Sequence, residues 1–256
     1  MTDIMTQHRQ FSRSYMLTAG ESDAEGRMPL TLLTERLIEN ATEHANALGI
    51  GYADLLPLGI GWVLSRVSVE MTSWPAINEA YTVTTWIESY NRRFSERNFE
   101  ITGADGHVYG YARTVWVAIN FSSRALADLS AFSADRFPLD SRECPIARTP
   151  RIATPGDGAE TDTYTFRYRD LDFNRHVNTV RYIDLILNHW PLDHFDGKVA
   201  ARFDIHFHHE CHFGDTVSLR VEHTDSGDIC DIIAPDGTRA VAARLIWREV
   251  QRQSRP

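Results

Sequence analysis

The 256-residue sequence predicts an α+β protein made of two similar halves, each a long helix wrapped by a curved antiparallel sheet. An internal repeat is the first observation: residues 104–119 align without a gap to residues 235–250, so that Asp105-Gly106 falls on Asp236-Gly237. The second observation is a common order of elements. Each half runs from a short strand through a helix to several strands, and a helix packed on one sheet buries the apolar face of both.

Each half ends in a predicted β-hairpin. An Asp-Gly pair between two β-rich stretches is a strong signal for a tight hairpin turn. Because a lone hairpin cannot bury its apolar face, further strands must complete each sheet. Strand-like runs of this kind are residues 62–71 and 80–89 in the first half, and residues 199–209 and 216–223 in the second.

A helix is predicted before these strands in each half. In the first half Pro29 suits the first helical turn, and apolar residues then recur with helical spacing at Leu30, Leu33, Leu37, Ala41 and Leu48. In the second half the apolar positions are Val180, Ile183, Leu187 and Trp190. A short strand-like piece precedes each helix, at residues 11–18 and 163–171.

These patterns place an N-terminal domain at residues 1–121 and a C-terminal domain at residues 162–256. Residues 122–161 are rich in Pro, Ser, Ala, Asp and Arg and lack clear periodicity, so they are predicted to connect the domains. A connection of this length is expected to pack partly on the surface.

Composition and charge argue against several classes of protein. The formal net charge of −9 disfavours binding of nucleic acid or anionic membranes through bulk charge. No apolar run reaches the length that spans a bilayer, and residues 1–13 lack the apolar core of a secretory signal. Three cysteines without a CxxC pair fit a reducing compartment better than a disulfide framework. We therefore expect a cytoplasmic protein.

Residues 170–188, DLDFNRHVNTVRYIDLILN, carry the most informative polar pattern. Asp172, Asn174 and His176 occupy alternate positions, which predicts three polar side chains on one side of an extended segment. The second helix is predicted to begin immediately afterwards, and the N–H groups and dipole at its start favour developing negative charge. A carboxylate, an amide and an imidazole at such a place indicate acyl-transfer or hydration chemistry.

The first half does not repeat this polar group. Setting Asp23 against Asp172 places Glu25 and Arg27 opposite the Asn and the His of the second half. A requirement of the fold alone should appear in both copies. The presence of the Asn and the His in the second copy only therefore favours a functional role.

A second group of reactive side chains lies in residues 206–215 and consists of His206, His208, His209, Glu210, Cys211 and His212. The histidine spacing matches no common zinc pattern, so we interpret these histidines as the polar face of a strand. Strict alternation would put Glu210 on the polar face and Cys211 on the apolar face, which a bulge would reverse. Glu210 could act as a base on water, and Cys211 as a nucleophile if an imidazole lowered its pKa.

Together these residues resemble the acyl-acyl carrier protein (acyl-ACP) thioesterases, the tandem hot-dog enzymes of plants and some bacteria. The family pattern is close to DLDxNxHVNNxxYxxWxLE, followed by a strand that ends in Arg-Glu-Cys. Residues 170–188 and 209–211 are similar to it, and residues 13–26, 31–49 and 61–71 resemble the first domain of the family. The resemblance covers roughly residues 11–250. The chain departs from the pattern at Thr179, at residues 185–188 and at His209.

The resemblance implies two hot-dog domains, of which the second carries the catalytic residues and the first shapes much of the acyl pocket. Glu210 would be the general base for water, and His176 would position water or protonate the leaving thiol. The Asn174 amide and the N–H groups at the helix start would stabilise the oxyanion, and Asp172 would hold Asn174 and His176 in place. The alternative role set makes Cys211 the nucleophile, with His176 and Asn174 completing a triad.

The implied partner is an acidic acyl carrier protein that delivers the fatty acyl group on its phosphopantetheine arm. No resident cofactor or metal is expected, and a second copy of the chain is a further candidate partner, as a homodimer. Arginines are candidates for steering the carrier, namely Arg92, Arg93, Arg97, Arg175 and Arg181. The plastid transit peptide of the plant members is not evident, which fits a bacterial cytoplasmic member.

Three alternatives stay open at this point. A hot-dog acyl-CoA thioesterase differs only in the carrier. A 2-enoyl thioester hydratase would use a Gly-Asp-x-Asn-Pro-x-His pattern, but this chain lacks its Gly and Pro and spaces Asn174 and His176 one residue closer. A lipid-binding module without turnover would leave the single copy of the Asn and the His unexplained.

Overall fold

The structure is a computed structural model that describes residues 9–129 and 136–250, and the chain divides into two compact units between Arg148 and Thr149. Part of the predicted connection, residues 130–135, lies outside the described residues. The rest of that segment is divided between the units. Trp86 of the first unit donates its indole N–H to the Arg142 carbonyl at 3.0 Å, whereas in the second unit Gly156 N–H donates to Glu222 at 2.9 Å.

The first unit is one helix on a five-stranded antiparallel sheet, in the strand order β1-β3-β4-β5-β2. Its elements in chain order are β1 (Gln10–Met16), α1 (Leu30–Ala47), the short α2 (Tyr52–Leu55), β2 (Ile60–Met71), β3 (Ala80–Tyr90), β4 (Phe94–Gly103) and β5 (Val108–Asn120). Helix α1 packs against β1 and β3. This is the α+β arrangement that the sequence predicts.

Helix α1 buries the apolar stripe that its sequence spacing predicts. Leu33, Leu37 and Ala41 are buried, as is Leu30 in the first turn. Pro29 is the N-cap and not a residue of the first turn, because its ψ of 150° is extended. The helix ends before Leu48, which is its C-cap.

The second unit also has a helix and a five-stranded antiparallel sheet, in the strand order β7-β10-β9-β8-β6. Its elements are β6 (Glu160–Thr165), α3 (Thr179–Leu187), the short α4 (Leu192–Phe195), β7 (Lys198–Phe207), β8 (Thr216–Thr224), β9 (Gly227–Ile233) and β10 (Arg239–Glu249). Helix α3 has 9 residues against 18 in α1. Trp190 therefore lies beyond the helix that was predicted to include it, and Ile186 replaces Leu187 on the buried face.

The two predicted Asp-Gly hairpins are confirmed and have the same geometry. Gly106 and Gly237 adopt left-handed backbone conformations, with φ of 84° and 85°. The preceding aspartate accepts a backbone N–H two residues later in both turns, at 2.9 Å from His107 to Asp105 and at 2.9 Å from Thr238 to Asp236. Because glycine adopts positive φ without a steric penalty, Asp-Gly fixes this turn. The hairpins join β4 to β5 and β9 to β10.

No helix in the described ranges is long and apolar enough to cross a membrane. All three cysteines are free thiols and are buried.

Candidate active site

The segment that carries Asp172, Asn174 and His176 is a closed loop and not the extended stretch that was predicted. The Asp172 N–H donates to the His176 carbonyl at 2.8 Å, and the Arg175 N–H donates back to the Asp172 carbonyl at 3.0 Å. Arg175 takes a left-handed conformation with φ of 64° to close the turn. Alternate positions therefore do not place the three polar side chains on one side of a strand.

The Asp172 carboxylate explains why the loop closes. Its Oδ1 accepts the backbone N–H of Asn174 at 2.8 Å and that of His176 at 3.1 Å. Asp side chains commonly accept backbone N–H groups a few residues later, and these bonds compete with strand or helix formation. Asp172 thus positions the backbone of the other two predicted residues, Asn174 and His176. Asn174 itself is exposed.

The first unit contains the same loop with different side chains. Asp23 Oδ1 accepts the N–H of Glu25 and that of Arg27, both at 2.9 Å. The Asp23 N–H donates to the Arg27 carbonyl at 2.8 Å, and Gly26 takes the left-handed conformation with φ of 72°. The aspartate is therefore a structural feature of both copies. Only the residues presented by the loop differ, Asn and His in one copy and Glu and Arg in the other.

Glu210 and Cys211 lie after strand β7, which ends at Phe207, so they do not end that strand as predicted. A loop carries them back to the Asp172 turn. The Val177 N–H donates to the Cys211 carbonyl at 2.8 Å, and His176 forms a β-bridge with His212. This pairing fixes the Glu210 backbone beside the loop that holds the imidazole.

The result is a carboxylate beside an imidazole at a site that solvent can reach. His176 Nδ1 lies 3.4 Å from Glu210 Oε1, and the two side chains are 26% and 30% exposed. The His212 ring stands edge-on to the His176 ring, with centroids 5.2 Å apart. A carboxylate and an imidazole at this distance can take up and release protons in one reaction, as general acid–base catalysis requires.

The first unit has no such pair at the equivalent place. There the Met28 N–H donates to the Pro75 carbonyl at 2.9 Å, and Arg27 forms a β-bridge with Ala76. These contacts correspond to those of Val177 with Cys211 and of His176 with His212, so Trp74 occupies the position of Glu210. An arginine and a tryptophan cannot exchange protons near neutral pH as a histidine and a glutamate do.

Cys211 is part of the core. Its relative exposure is 0%, and burial raises the pKa of its thiol. Its backbone N–H donates to the Tyr182 hydroxyl at 3.0 Å, and burial also raises the pKa of that tyrosine. Tyr182 was not among the predicted site residues. Two signals for it were present in the sequence: a hydroxyl on the otherwise apolar face of α3, and the Tyr at this position of the family pattern.

The histidines before Glu210 lie outside this pair. His206 is in β7 and is 8% exposed, and its ring centroid is 5.9 Å from that of His208. The N–H groups of His208 and His209 both donate to the Ala240 carbonyl, at 2.8 Å and 3.2 Å. Because two consecutive N–H groups share one carbonyl, the regular pairing of β7 with β10 ends here, and the loop that leads to Glu210 begins.

One of the predicted steering arginines is not on the surface. Arg97 is 5% exposed, and its guanidinium donates to His44 Nδ1 at 2.7 Å. Burial lowers the pKa of Arg97 to about 9. Arg92, Arg93 and Arg175 are exposed. Arg181 is partly buried and pairs with Asp184 at 2.6 Å.

The duplicated loop provides a matched test of what the aspartate contributes. Replacing either Asp172 or Asp23 with alanine is expected to lower the free energy of unfolding by about 1–2 kcal/mol, since each removes an acceptor for two backbone N–H groups. Only Asp172→Ala should also lower turnover, because only its loop presents His176. Urea unfolding and steady-state kinetics on both variants check this. Equal losses of turnover would show that the aspartate acts through general stability.

Both halves of the chain match one known protein family. Residues 8–131 match the acyl-ACP thioesterase N-terminal domain, and residues 154–249 match the acyl-ACP thioesterase C-terminal domain. Among solved structures, an acyl-ACP thioesterase from Bacteroides thetaiotaomicron is 30% identical with a TM-score of 0.88; the match covers 94% of this chain and 99% of that chain.

Two plant proteins extend the comparison. The 12:0-ACP thioesterase from Umbellularia californica shares the fold with a TM-score of 0.84 at 18% identity, over 94% of this chain and 98% of that chain. A palmitoyl-acyl carrier protein thioesterase from Gossypium hirsutum is 23% identical over 214 residues, which are 78% of this chain. The chain spans about half the length of that relative, 52%. With both domain matches and the Bacteroides structure, the chain belongs to the acyl-ACP thioesterase family and has its double hot-dog fold.

Proposed function

We propose that the protein hydrolyses fatty acyl-ACP thioesters to a free fatty acid and the free thiol of the carrier. The observation that carries the proposal is the His176–Glu210 pair, 3.4 Å apart, in the second of two otherwise equivalent loops. Family membership supplies the substrate class, and the pair supplies groups able to activate water. The first unit has Arg27 and Trp74 at the equivalent positions, so it has no second histidine–glutamate pair at that loop.

In the proposed reaction Glu210 accepts a proton from water as the water oxygen adds to the thioester carbonyl carbon. The tetrahedral intermediate then expels the thiolate as the C–S bond breaks, and His176, in the imidazolium form, gives the thiolate its proton and becomes neutral imidazole. Transfer of the proton from the Glu210 carboxylic acid to the His176 imidazole restores both groups. The balance is thioester plus water to carboxylic acid plus thiol.

The developing oxyanion needs a hydrogen-bond donor, and Asn174 is the best candidate. Two N–H groups in the first turn of α3 already donate to Asn178: Val180 to the side chain at 3.2 Å and Arg181 to the carbonyl at 2.9 Å. This weakens the expectation that the helix start itself binds the oxyanion. The exposed amide of Asn174 lies in the same short loop as His176. Losing such a donor typically raises a barrier by about 3–4 kcal/mol.

The alternative in which Cys211 attacks the thioester has less support. A nucleophilic cysteine reacts as a thiolate and needs a lowered pKa and access to the substrate. The Cys211 side chain is fully buried, and burial raises the pKa of its thiol. We therefore assign activation of water to Glu210 and packing to Cys211.

The proposed partner is an acyl carrier protein, with phosphopantetheine entering as part of the substrate and no resident cofactor in the reaction. Arg175 is exposed on the His176 loop and is the arginine best placed to meet the acidic carrier. A homodimer and a cytoplasmic location stay predictions.

A panel of thioesters tests the function. Matched saturated and 2-enoyl groups on acyl carrier protein and on coenzyme A are incubated with the full chain, and free thiol, free fatty acid and enoyl absorbance are followed. The proposal expects thiol and fatty acid from the carrier-protein thioesters, at a higher kcat/KM than from the CoA thioesters. Faster release from CoA supports the acyl-CoA thioesterase. Loss of enoyl absorbance without thiol release supports the hydratase, and binding without turnover supports the lipid-binding module.

A further inference from the structure

Three metal-ligating side chains converge in the second unit, away from the His176–Glu210 pair. Glu160 begins strand β6, His189 follows helix α3, and His223 lies near the end of β8. One ligand atom from each lies within 4.8 Å of the other two. His189 Nε2 is 3.3 Å from one Glu160 carboxylate oxygen, and His223 Nε2 is 3.8 Å from the other.

Each of the two histidines also has an aspartate carboxylate at its other ring nitrogen, Nδ1, which orients the ring. His189 Nδ1 lies 2.6 Å from Asp162 Oδ2, and His223 Nδ1 lies 2.8 Å from Asp228 Oδ1. When Nδ1 carries the proton for such a bond, Nε2 presents its lone pair toward Glu160. Metal-binding histidines typically donate the other ring N–H to a carboxylate, which fixes the tautomer and increases the basicity of the ligand nitrogen.

The spacing fits a small divalent ion. Bonds of about 2.0–2.1 Å in a tetrahedral zinc site put ligand atoms about 3.3–3.4 Å apart. One Glu160 carboxylate oxygen lies 3.3 Å from His189 Nε2 and the other lies 3.8 Å from His223 Nε2, near that separation. The three ligand atoms lie within 4.8 Å of one another, so a small movement of the exposed side chains would bring them to it. We propose that Glu160, His189 and His223 form a binding site for a divalent transition-metal ion such as Zn²⁺, with water at the fourth position. The carboxylates of Asp162 and Asp228 belong to the outer shell of this site.

Burial and position indicate a structural role for the ion. The His189 side chain is 8% exposed and therefore a fixed anchor, whereas Glu160 and His223 are 64% and 49% exposed and can move closer to it. Strand β6 is the last strand of its sheet. An ion at this site would fasten β6 to β8 and to the end of α3, and so stabilise an edge that only one neighbouring strand holds.

The proposed site is separate from the candidate active site. Glu160 pairs with Val221 at one end of β6, and Thr165 pairs with Thr216 at the other. His212, which forms the β-bridge with His176, is followed by a turn in which the Asp215 N–H donates to the His212 carbonyl at 3.2 Å. This turn lies at the Thr165 end of β6, because the Phe166 N–H donates to the Asp215 carbonyl at 3.0 Å. The six residues of β6 make five steps of about 3.4 Å, which separate its two ends by about 17 Å. The ion is therefore not required for the proposed hydrolysis.

The test uses the full chain freed of metal with a chelator. Titration with Co²⁺ should give a visible absorption band that saturates at one ion per chain. Zn²⁺ at about 100 times its Kd should raise Tm by about 5 °C or more, because an ion that binds only the folded state stabilises it. His223→Gln and Glu160→Gln change exposed side chains, and each should weaken metal binding more than about 100-fold. Replacing a residue that only orients a ligand typically weakens metal binding by about 10- to 100-fold, so a larger loss identifies a direct ligand.

The matched control is His208→Gln, which lies in the other histidine-rich stretch and should leave Co²⁺ binding unchanged. Binding that survives in both ligand variants, or that disappears in His208→Gln, would overturn the proposal. Absence of a saturable Co²⁺ band in the parent chain would overturn it as well, and would leave the cluster as pairs of histidine and carboxylate. Turnover of His223→Gln should equal that of the parent, so failure of the thioesterase proposal and failure of the metal proposal are separately visible.

Discussion

Glu210→Gln is expected to lower kcat for acyl-ACP hydrolysis by about 10²- to 10⁴-fold, the usual contribution of a general base. The amide has the shape of the carboxylate but cannot accept a proton from water at neutral pH. Glu210 is 30% exposed and lies in a loop, so the fold should tolerate the change. KM should change little if the residue acts on water and not on the acyl group.

Cys211→Ala is the matched control, because it alters the next residue and tests the competing nucleophile. A buried thiol with a raised pKa should be dispensable for chemistry, so turnover within a few-fold of the parent is expected. Single-turnover measurements on both variants separate the mechanisms. A covalent acyl-cysteine intermediate in the parent, with full loss of turnover in Cys211→Ala and retained turnover in Glu210→Gln, would reverse the assignment.

The parts of the fold that the sequence predicts are those that local chemistry determines. Helix α1 follows from apolar residues at helical spacing, and its buried Leu33, Leu37 and Ala41 confirm the pattern. The two hairpins follow from Asp-Gly, since glycine at Gly106 and Gly237 supplies the positive φ that the turn needs. Each of these signals depends on residues a few positions apart.

The geometry of the site depends on contacts that alternation along a strand does not describe. The Asp172 carboxylate accepts two backbone N–H groups and bends the chain into a turn, so the prediction of an extended segment was wrong. The approach of Glu210 to His176 depends on pairing between two loops that are distant in the sequence. A pattern of alternate residues cannot predict such pairing.

The metal-ligating cluster was missed for a related reason. Histidines are dense in residues 206–212, whereas Glu160, His189 and His223 are widely separated along the chain. Pairing of β6 with β8 brings the first and the last of them together, and the end of α3 adds the third. Because the three side chains come from three separate elements, no fixed spacing along the sequence relates them, and a sequence motif cannot identify them.

His176→Ala is expected to reduce kcat by about 10²- to 10⁴-fold with acyl-ACP, and the comparison variant is Arg27→Ala at the same position of the first-unit loop. Arg27→Ala should leave kcat unchanged, since the first unit has no acid–base pair there. The double variant His176→Ala/Glu210→Gln should lose little more than either single variant, because groups that act as a unit give non-additive losses. Additive losses would show that the two residues act independently.

Varying the thiol that leaves the thioester tests whether His176 donates a proton to it or only shapes the loop. If His176 protonates the departing thiolate, its loss should matter most for thioesters of alkyl thiols, such as phosphopantetheine. It should matter much less for aryl thioesters, whose thiolates leave without a proton. The ratio of parent to His176→Ala turnover should therefore fall at least tenfold between a pantetheine thioester and a thiophenyl thioester of the same acyl group. A constant ratio would mean that His176 orients water or the loop, and the proton would then have to reach sulfur from Glu210 after that carboxylate has received it from water.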